Sequence, residues 1–362
     1  MKRTPIALLT ATALLTACST ELDVNAPYAD HTVVYGLLNL RDSIQFIKVN
    51  KSFLGEGNAL DQAQVADSSE YGGEAIDHMQ VHKVLNGLRV ATYELHDTIV
   101  DDREPGTFHH PEHKLYYFVD PEEYPEVILD TTSFAVHLDQ DAQYELDIVV
   151  KGKAVSAITP ITDDFGFFGT LASSSSIAQV SFLLPQGGYG QYRVRWYSGR
   201  DGKRYVVKYA FHYKEIRDGD TTGHVLEQGI GQRVSANSQT IGEELEIQIP
   251  GEQFFSNLAS VIPDDPAVSR RIFTGIDLHF TVANEDFHTF LSLSEPVSGI
   301  VEERPAYSNL EGAYGIWGSR YTKGINKRLT ATSMNELMNG PYTAHLKFCS
   351  AFPEDGAFYC TP

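Results

Sequence analysis

Between residues 144 and 159 the chain reads Tyr144-Glu-Leu-Asp-Ile-Val-Val-Lys-Gly-Lys-Ala-Val-Ser-Ala-Ile-Thr159. Two short runs rich in Val and Ile flank Lys151-Gly152-Lys153, which is the pattern of a β-hairpin. Other runs of this kind recur along the chain with turn residues between them, and no βαβ alternation occurs. The sequence therefore predicts a mainly β protein whose first domain, residues 31–160, is an antiparallel β-sandwich.

Two further hairpins are predicted in this domain, one of them around Asn86-Gly87, which is among the stronger local hairpin signals. Residues 51–73 are rich in small and polar residues and are predicted to form a long loop with at most one helical turn. The strands expected before residue 120 are Thr32–Asn39, Ser43–Asn50, Ile76–Val84, Leu88–Leu95 and Lys114–Phe118.

The composition changes at residues 161–176, where Asp163-Asp164, glycines and the run Ser173–Ser176 are typical of a linker. We place the domain boundary there and predict a second β-rich domain at residues 177–362. Its expected strands are Ala178–Leu184, Gln191–Tyr197, Arg204–Lys214, Glu244–Ile249, Gly275–Val282 and Tyr342–Phe348.

A few short helices are expected in the second domain. Glu252–Ile262 places its large apolar residues on one helical face. Ser333-Met-Asn-Glu336 has the form of a capping box and predicts a helix that ends near Gly340. Asn284–Leu293 is compatible with either a strand or a helix.

The N-terminus has the layout of a bacterial lipoprotein signal. Met1-Lys2-Arg3 is basic, Ile6–Leu15 is apolar and too short to span a bilayer as a mature helix, and Leu15-Thr-Ala-Cys18 resembles a lipobox. We expect residues 1–17 to be removed, Cys18 to be lipidated, and residues 18–30 to form a polar tether. The alternative is an ordinary signal peptide with an incidental cysteine.

The charge balance is strongly acidic. Formal net charge is −20, and removal of the two basic residues Lys2 and Arg3 with the signal takes it to −22. Such a surface repels nucleic acid, so no nucleic-acid partner is expected. If Cys18 carries lipid, Cys349 and Cys360 can pair in an oxidising compartment, and closing so short a loop contributes about 2–3 kcal/mol.

Four features of the chain occur together: the lipobox, Val33-Val-Tyr-Gly-Leu37, Tyr144-Glu-Leu-Asp-Ile148 leading to Ala157-Ile-Thr-Pro160, and Tyr307-Ser-Asn-Leu-Glu-Gly-Ala-Tyr-Gly-Ile-Trp-Gly318. In these features the chain resembles an uncharacterised, DUF4249-like family of Bacteroidetes lipoproteins. The resemblance implies an outer-membrane lipoprotein with an Ig-like or transthyretin-like sandwich followed by a second β-rich domain. It carries no catalytic residues, and it suggests an accessory role beside an outer-membrane receptor.

One histidine-rich segment is a candidate metal site. His109, His110 and His113 lie within five residues, and imidazole is a common zinc ligand. His78 and His82 are possible additional ligands, although on a strand they lie too far apart to bind one ion directly. The alternative is a solvent-exposed polar loop, and no cofactor is expected.

A second candidate site is the aromatic and glycine-rich segment that holds Tyr307, Tyr314, Trp317 and Tyr321. Exposed Tyr and Trp side chains offer stacking surfaces for sugar or peptide ligands. The competing interpretation is that these rings fill the second core and that the glycines turn corners.

These observations favour a non-catalytic binding or assembly protein, held at the outer membrane by its lipid, with a receptor protein or a glycan as partner. No nucleotide-loop motif or serine-hydrolase elbow occurs in the sequence. The alternative function is a hydrolase that acts on envelope or imported polymers through unmarked carboxylates or histidines.

Overall fold

The computed structural model describes residues 30–53, 58–119, 138–171, 179–295 and 307–360, and these residues form a mainly β fold. The strands are β1 (Thr32–Asn39), β2 (Gln45–Lys51), β3 (Ile76–Leu85), β4 (Leu88–Glu94), β5 (His96–Val100), β6 (His113–Phe118), β7 (Gln143–Val150), β8 (Lys153–Pro160), β9 (Gln179–Val180), β10 (Gln191–Tyr197), β11 (Arg204–Arg217), β12 (Asp220–Val234), β13 (Glu244–Pro250), β14 (Val268–Ala283), β15 (Tyr314–Leu329) and β16 (Phe348–Ser350). The helices are α1 (Ala59–Ala63), α2 (Ala66–Ser69), α3 (Gly251–Val261), α4 (Glu285–Ser294) and α5 (Ala331–Asn339).

One large sheet runs through both halves of the chain. Its strand order is β12-β11-β14-β15-β1-β2-β6-β5, with β16 and β9 paired at its side. The two halves meet where β1 pairs with β15 in parallel, from Val33 opposite Tyr314 to Asn39 opposite Arg320. The other neighbours in that order pair in antiparallel fashion.

The N-terminal core lies between this sheet and a four-stranded sheet of order β4-β3-β7-β8. Alternating residues of β7, such as Leu146 and Ile148, point inward against Val34 of β1 and Ile47 of β2. This packing of two sheets is the predicted sandwich, and it confirms the fold class.

The C-terminal core is covered by a mixture of elements. A two-stranded sheet of β10 and β13, together with α3 and α5, packs on β11, β14 and β15. Aromatic rings dominate here. The ring centroids of Trp196 and Phe280 lie 5.3 Å apart, and the stacked rings of Phe254 and Phe182 have centroids 4.1 Å apart. Residues of α5, including Leu337, join the same core.

Both cores lie on the same face of the large sheet. Trp317 of β15 belongs to the N-terminal core and Tyr321 to the C-terminal core, and their even spacing directs both side chains to one side. Ser319, between them, is fully buried and bonds to Thr162. Helix α4 packs on the opposite face, where Phe287 approaches Gly318.

Residues 161–176, expected to be a linker, are instead packed in their described part. Ile161 belongs to the N-terminal core, Phe165 belongs to the C-terminal core, and Thr162 is fully buried between them. The run Ser173–Ser176 lies outside the described residues. The chain therefore crosses from one core to the other on the face of the shared sheet.

The hairpin predictions are confirmed. Strands β1 and β2, β3 and β4, and β7 and β8 pair as expected. Asn86 and Gly87, and likewise Lys151 and Gly152, have positive φ values, which is the geometry of two-residue hairpin turns. Residues 51–73 were predicted to hold at most one helical turn, and this is wrong, because they contain two short helices, α1 and α2.

Other local predictions need correction. Helix α5 begins earlier than the capping box suggested: Thr330 accepts the hydrogen bond of Ser333 N, while Ser333 Oγ accepts from Phe182 N. Tyr342–Phe348 is not a strand, because a 3₁₀ turn at Ala344–Leu346 precedes the short β16. The open segment Asn284–Leu293 is a helix capped by Asn284. None of the described helices is long and apolar enough to cross a membrane.

Candidate binding groove

A groove of about 260 Å³ opens between the edge strand β12, the end of β13 and the first turns of α3. Its volume lies just below the range of about 300–1,000 Å³ that is usual for small-molecule sites. The lining combines two aromatic rings, four carboxamides and short backbone stretches; its residues are Tyr209, Gln228, Gly229, Ile230, Gln248, Ile249, Pro250, Gln253, Phe254 and Asn257.

A β-bulge in β12 shapes one wall of the groove. Val207 pairs with Gly231 and Lys208 pairs with Gly229, so Ile230 is an extra residue in the ladder. Gly231 adopts φ +137°, a conformation that glycine adopts at low cost. Its position faces Ile247 of β13, so the two strands approach each other there and the groove opens on the Gln228 side.

The floor of the groove is rigid and aromatic. Phe254 is stacked on Phe182 and lies 5.4 Å from Tyr209. Gly251, at the start of α3, is so close to the carbonyl oxygen of Phe182 that any side chain there would clash with backbone. The first turn of α3 is therefore held firmly against the core.

The polar side chains of the groove are linked to each other. Asn257 Nδ2 donates to Tyr209 Oη at 3.2 Å and to Gln228 Oε1 at 3.1 Å. Gln248 Nε2 donates to Glu246 Oε1 at 2.7 Å. Burial raises the pKa of Tyr209 above its ordinary value, so its hydroxyl stays protonated at neutral pH.

Among the described residues that line the groove there is no acid, lysine, arginine or histidine, although the chain as a whole carries a net charge of −20. Carboxamides present both a donor and an acceptor, so they match amides and hydroxyls equally well. The groove is thus suited to an uncharged, hydrogen-bonding ligand, and its lining offers no general acid or base near neutral pH.

The predicted metal ligands do not converge. His113 Nε2 lies 3.3 Å from Asp102 Oδ1, and burial, with the charges of Lys48 and Arg103, lowers the pKa of His113. The backbone of His109 bonds to Ala63 and Arg103. Within the ranges that the structure describes, no group of three His, Cys, Asp or Glu side chains is placed to hold a metal ion.

The predicted aromatic platform is divided between separate environments. Trp317 and Tyr321 are buried in different cores, and Trp317 Nε1 donates to the carbonyl of Tyr144 at 2.8 Å. Tyr307 donates to Asp286 at 2.7 Å. Only Tyr314 of the four is well exposed, in edge contact with His31. These rings serve mainly as structure and do not form one binding surface.

The outer face of the four-stranded sheet carries a polar row. His82 Nδ1 lies 2.8 Å from Thr92 Oγ1, and its buried Nε2 lies 3.6 Å from Asp147 Oδ2. His78 Nε2 lies 3.2 Å from the other oxygen of Asp147. The row places a hydroxyl, an imidazole and a carboxylate in series.

Cys349 and Cys360 form a disulfide with their Cα atoms 5.1 Å apart. The bond fastens the end of the described chain to β16, where Cys360 N also donates to Ser350 O at 2.9 Å. Cys18 lies outside the described residues.

The groove is not predicted by the sequence patterns described above, because β12 is not among the expected strands. The alternation Gln228-Gly-Ile-Gly-Gln232 was the available signal, since paired glycines within a strand indicate a bulge. The carboxamides of α3 lie on the polar side of a helix that was predicted only from its apolar face.

No protein-family model and no curated protein sequence matches the chain.

Proposed function

We propose that this protein is a non-catalytic binding protein, anchored at the outer membrane by lipid on Cys18, and that it presents the groove between β12, β13 and α3 to a partner. The lipobox at Leu15-Thr-Ala-Cys18 supports the anchoring. A tether of roughly twelve residues would allow a reach of at most about 40 Å from the lipid.

The observation that carries the proposed binding role is the uncharged carboxamide lining of the groove over a fixed aromatic floor. Preorganised hydrogen-bonding groups bind a ligand without losing much conformational freedom. The partner is a neutral polar group, either a glycan or a segment of an outer-membrane receptor. The acidic surface disfavours nucleic acid.

The anchoring is tested by Cys18→Ala in the full chain. The lipid-modified protein should label with a radioactive fatty acid and sediment with membranes. The variant should lose the label and should no longer be held at the membrane by acyl chains. A variant that keeps the label would contradict lipidation at Cys18.

The binding role is tested by affinity capture with the intact lipidated chain in detergent. The double variant Gln248→Ala/Gln253→Ala removes two exposed carboxamides of the groove. Gln140→Ala/Gln239→Ala removes two exposed glutamines elsewhere and serves as the matched control. We expect the Gln248→Ala/Gln253→Ala variant to lose the captured partner or glycan and the control variant to keep it. Equal capture by the two variants would contradict the proposal.

The alternative, a hydrolase, has one structural observation in its favour, the series Thr92, His82 and Asp147 on the outer sheet face. A hydroxyl beside an imidazole is the arrangement that an acyl-transfer nucleophile requires. Ester hydrolysis by the purified chain that disappears in Thr92→Ala would establish this function; no turnover, or turnover that survives the change, would exclude this row as its catalyst.

A further inference from the structure

Strand β12 ends the large sheet and is long. It pairs with β11 along its whole length, from Arg217 opposite Asp220 to Arg204 opposite Val234. In the described part of the chain, no strand of the large sheet pairs with its other edge. Every second residue of an antiparallel edge strand directs its N–H and C=O groups outward, so β12 presents a regular row of backbone donors and acceptors.

From Asp220 to Gln228 this edge lacks several of the usual protections against pairing. Edge strands are commonly kept from pairing by lysines, prolines, β-bulges or short length, and the bulge of β12 lies beyond this stretch, at Ile230. β12 has fifteen residues and contains neither Lys nor Pro, whereas the opposite edge strand, β5, has only five residues. Val225 is 56% exposed, and Glu227 is held on the sheet face by Lys208 at 2.7 Å.

The bulge at Ile230 divides the edge. From Asp220 to Gln228 the strand is regular, and after Gly229 the extra residue bends it. The groove begins at Gln228, so a strand added along residues 220–228 would run directly into the carboxamides of Gln248 and Gln253. The backbone row and the groove therefore form one continuous surface, which we call the β12 edge surface.

We propose that the β12 edge surface binds an extended, uncharged polypeptide segment of a partner protein by strand addition. The inference rests on the proposed binding function and specifies its ligand. A row of backbone groups at the spacing of a strand matches a peptide and not a saccharide, and carboxamides in the groove satisfy peptide N–H and C=O groups. The described residues that line the groove carry no charged side chain, which selects against charged side chains at the end of the segment.

The experiment uses two adjacent proline substitutions, Thr221→Pro and Thr222→Pro, in the full chain. Both threonines are exposed. Because N–H directions alternate along the strand, one proline removes a bond to β11 and the other removes only an outward N–H. Thermal unfolding identifies the variant that keeps the internal ladder, and that variant is the one used for binding.

The probe is a displayed library of random dodecapeptides, which is selected for binding to the chain without substitutions. We expect enriched sequences with few charges and no central proline, and protection of amides in residues 220–228 from hydrogen exchange when a selected peptide is bound. The outward proline variant should bind at least about tenfold more weakly, because it loses a backbone hydrogen bond and gains a steric conflict.

Other outcomes overturn the inference. Failure to enrich peptides, or unchanged affinity in the outward variant, excludes strand addition. If the chain without substitutions self-associates and the outward proline variant does not, the occupant is a second copy of this chain instead. Binding of neutral oligosaccharides that depends on Gln248 and Gln253 would leave the proposed function intact and make the ligand a glycan. If no ligand depends on the groove, the proposed function fails as well.

Discussion

The two cores share one sheet but are covered in different ways. Over the N-terminal core, four strands form a continuous second sheet. Over the C-terminal core, the described part of the chain supplies a covering sheet of two strands, β10 and β13, and helices α3 and α5 complete the layer. Helices are wider than the spacing between strands, so a mixed layer leaves seams where its elements meet. The candidate groove lies on such a seam, between β13, α3 and β12.

The shared sheet couples the two cores. Strand β15 supplies Trp317 to one and Tyr321 to the other, and the crossing segment supplies Ile161 and Phe165 in the same way. Because the connection is a row of parallel hydrogen bonds and not a flexible linker, we expect the two cores to unfold together.

The largest effect is expected from Gly315→Ala, at the parallel joint of β1 and β15. Gly315 adopts φ +117°, and a Cβ there would overlap the carbonyl oxygen of Val34. The overlap is with backbone, so the joint must open, and we expect a loss of about 4 kcal/mol or more in the free energy of unfolding. Urea denaturation followed by circular dichroism measures it.

Gly152→Ala is the matched control. Gly152 also has a positive φ, +73°, but no atom lies near its Cβ position. The change should therefore cost only the backbone term, about 1–2 kcal/mol. An equal loss in both variants would show that the β1–β15 joint is not under tight steric control.

A smaller effect is expected from Glu215→Ala, next to the C-terminal core. Arg271 is 1% exposed, and its Nε lies 2.7 Å from Glu215 Oε1. Loss of the carboxylate leaves a buried guanidinium without its counter-charge, which costs about 3 kcal/mol. Over the N-terminal core the comparable pair, Arg89 and Glu145, is exposed, so Arg89→Ala should leave the urea midpoint nearly unchanged. Equal shifts of the two midpoints would contradict the difference in burial.

The smallest effect concerns Asp164, in the segment between the cores. Burial acts to raise the pKa of this carboxyl, but hydrogen bonds from Lys323 Nζ at 2.7 Å and Phe165 N at 2.6 Å outweigh it, so the pKa lies below the ordinary 3.8. A carboxyl with a depressed folded-state pKa stabilises the fold above about pH 3.8, and this contribution is lost as the pH falls through the folded-state pKa.

Asp164→Asn should therefore lower the melting temperature at pH 7 and reduce the difference in melting temperature between pH 5 and about pH 3. Asp264→Asn, at an exposed carboxyl between α3 and β14, is the control. If both variants show the unaltered acid response, Asp164 does not hold the crossing segment.

The parts of the fold predicted from sequence are those that local chemistry determines. Asn86-Gly87 and Lys151-Gly152 sit at two-residue turns, and turn geometry sets the register of each hairpin. The apolar face of Glu252–Ile262 was similarly sufficient to predict α3. In each case the residues that interact lie close together in the sequence.

The joint between the two halves could not be predicted in this way. β1 and β15 lie near opposite ends of the described chain, and nothing in Val33–Leu37 specifies which distant strand it pairs with. The glycines at 312, 315 and 318 are explained only by contacts with residues distant in the sequence: Gly315 meets β1, Gly312 meets Ala154 of β8, and Gly318 meets α4. The sequence alone also allowed one binding surface made of Tyr307, Tyr314, Trp317 and Tyr321, and the burial of Trp317 and Tyr321 in separate cores does not favour it.

The groove escaped prediction because its walls come from three elements that only the tertiary fold brings together. Gln228, Gln248 and Asn257 are ordinary polar residues in their local sequence. The linker predicted at residues 161–176 from their composition is instead packed where the structure describes it. Ile161 and Phe165 pack on a sheet built from strands that are distant in the sequence.

The two tryptophans give the most direct test that one sheet makes both cores a single cooperative unit. Trp196 lies in the C-terminal core and Trp317 in the N-terminal core, and the chain has no others. In Trp317→Phe and Trp196→Phe, the remaining tryptophan reports one core, and far-ultraviolet circular dichroism reports the whole chain. Coincident urea midpoints from the two signals in both variants are expected; a fluorescence midpoint that departs from the dichroism midpoint in either variant would contradict the shared sheet as the coupling element.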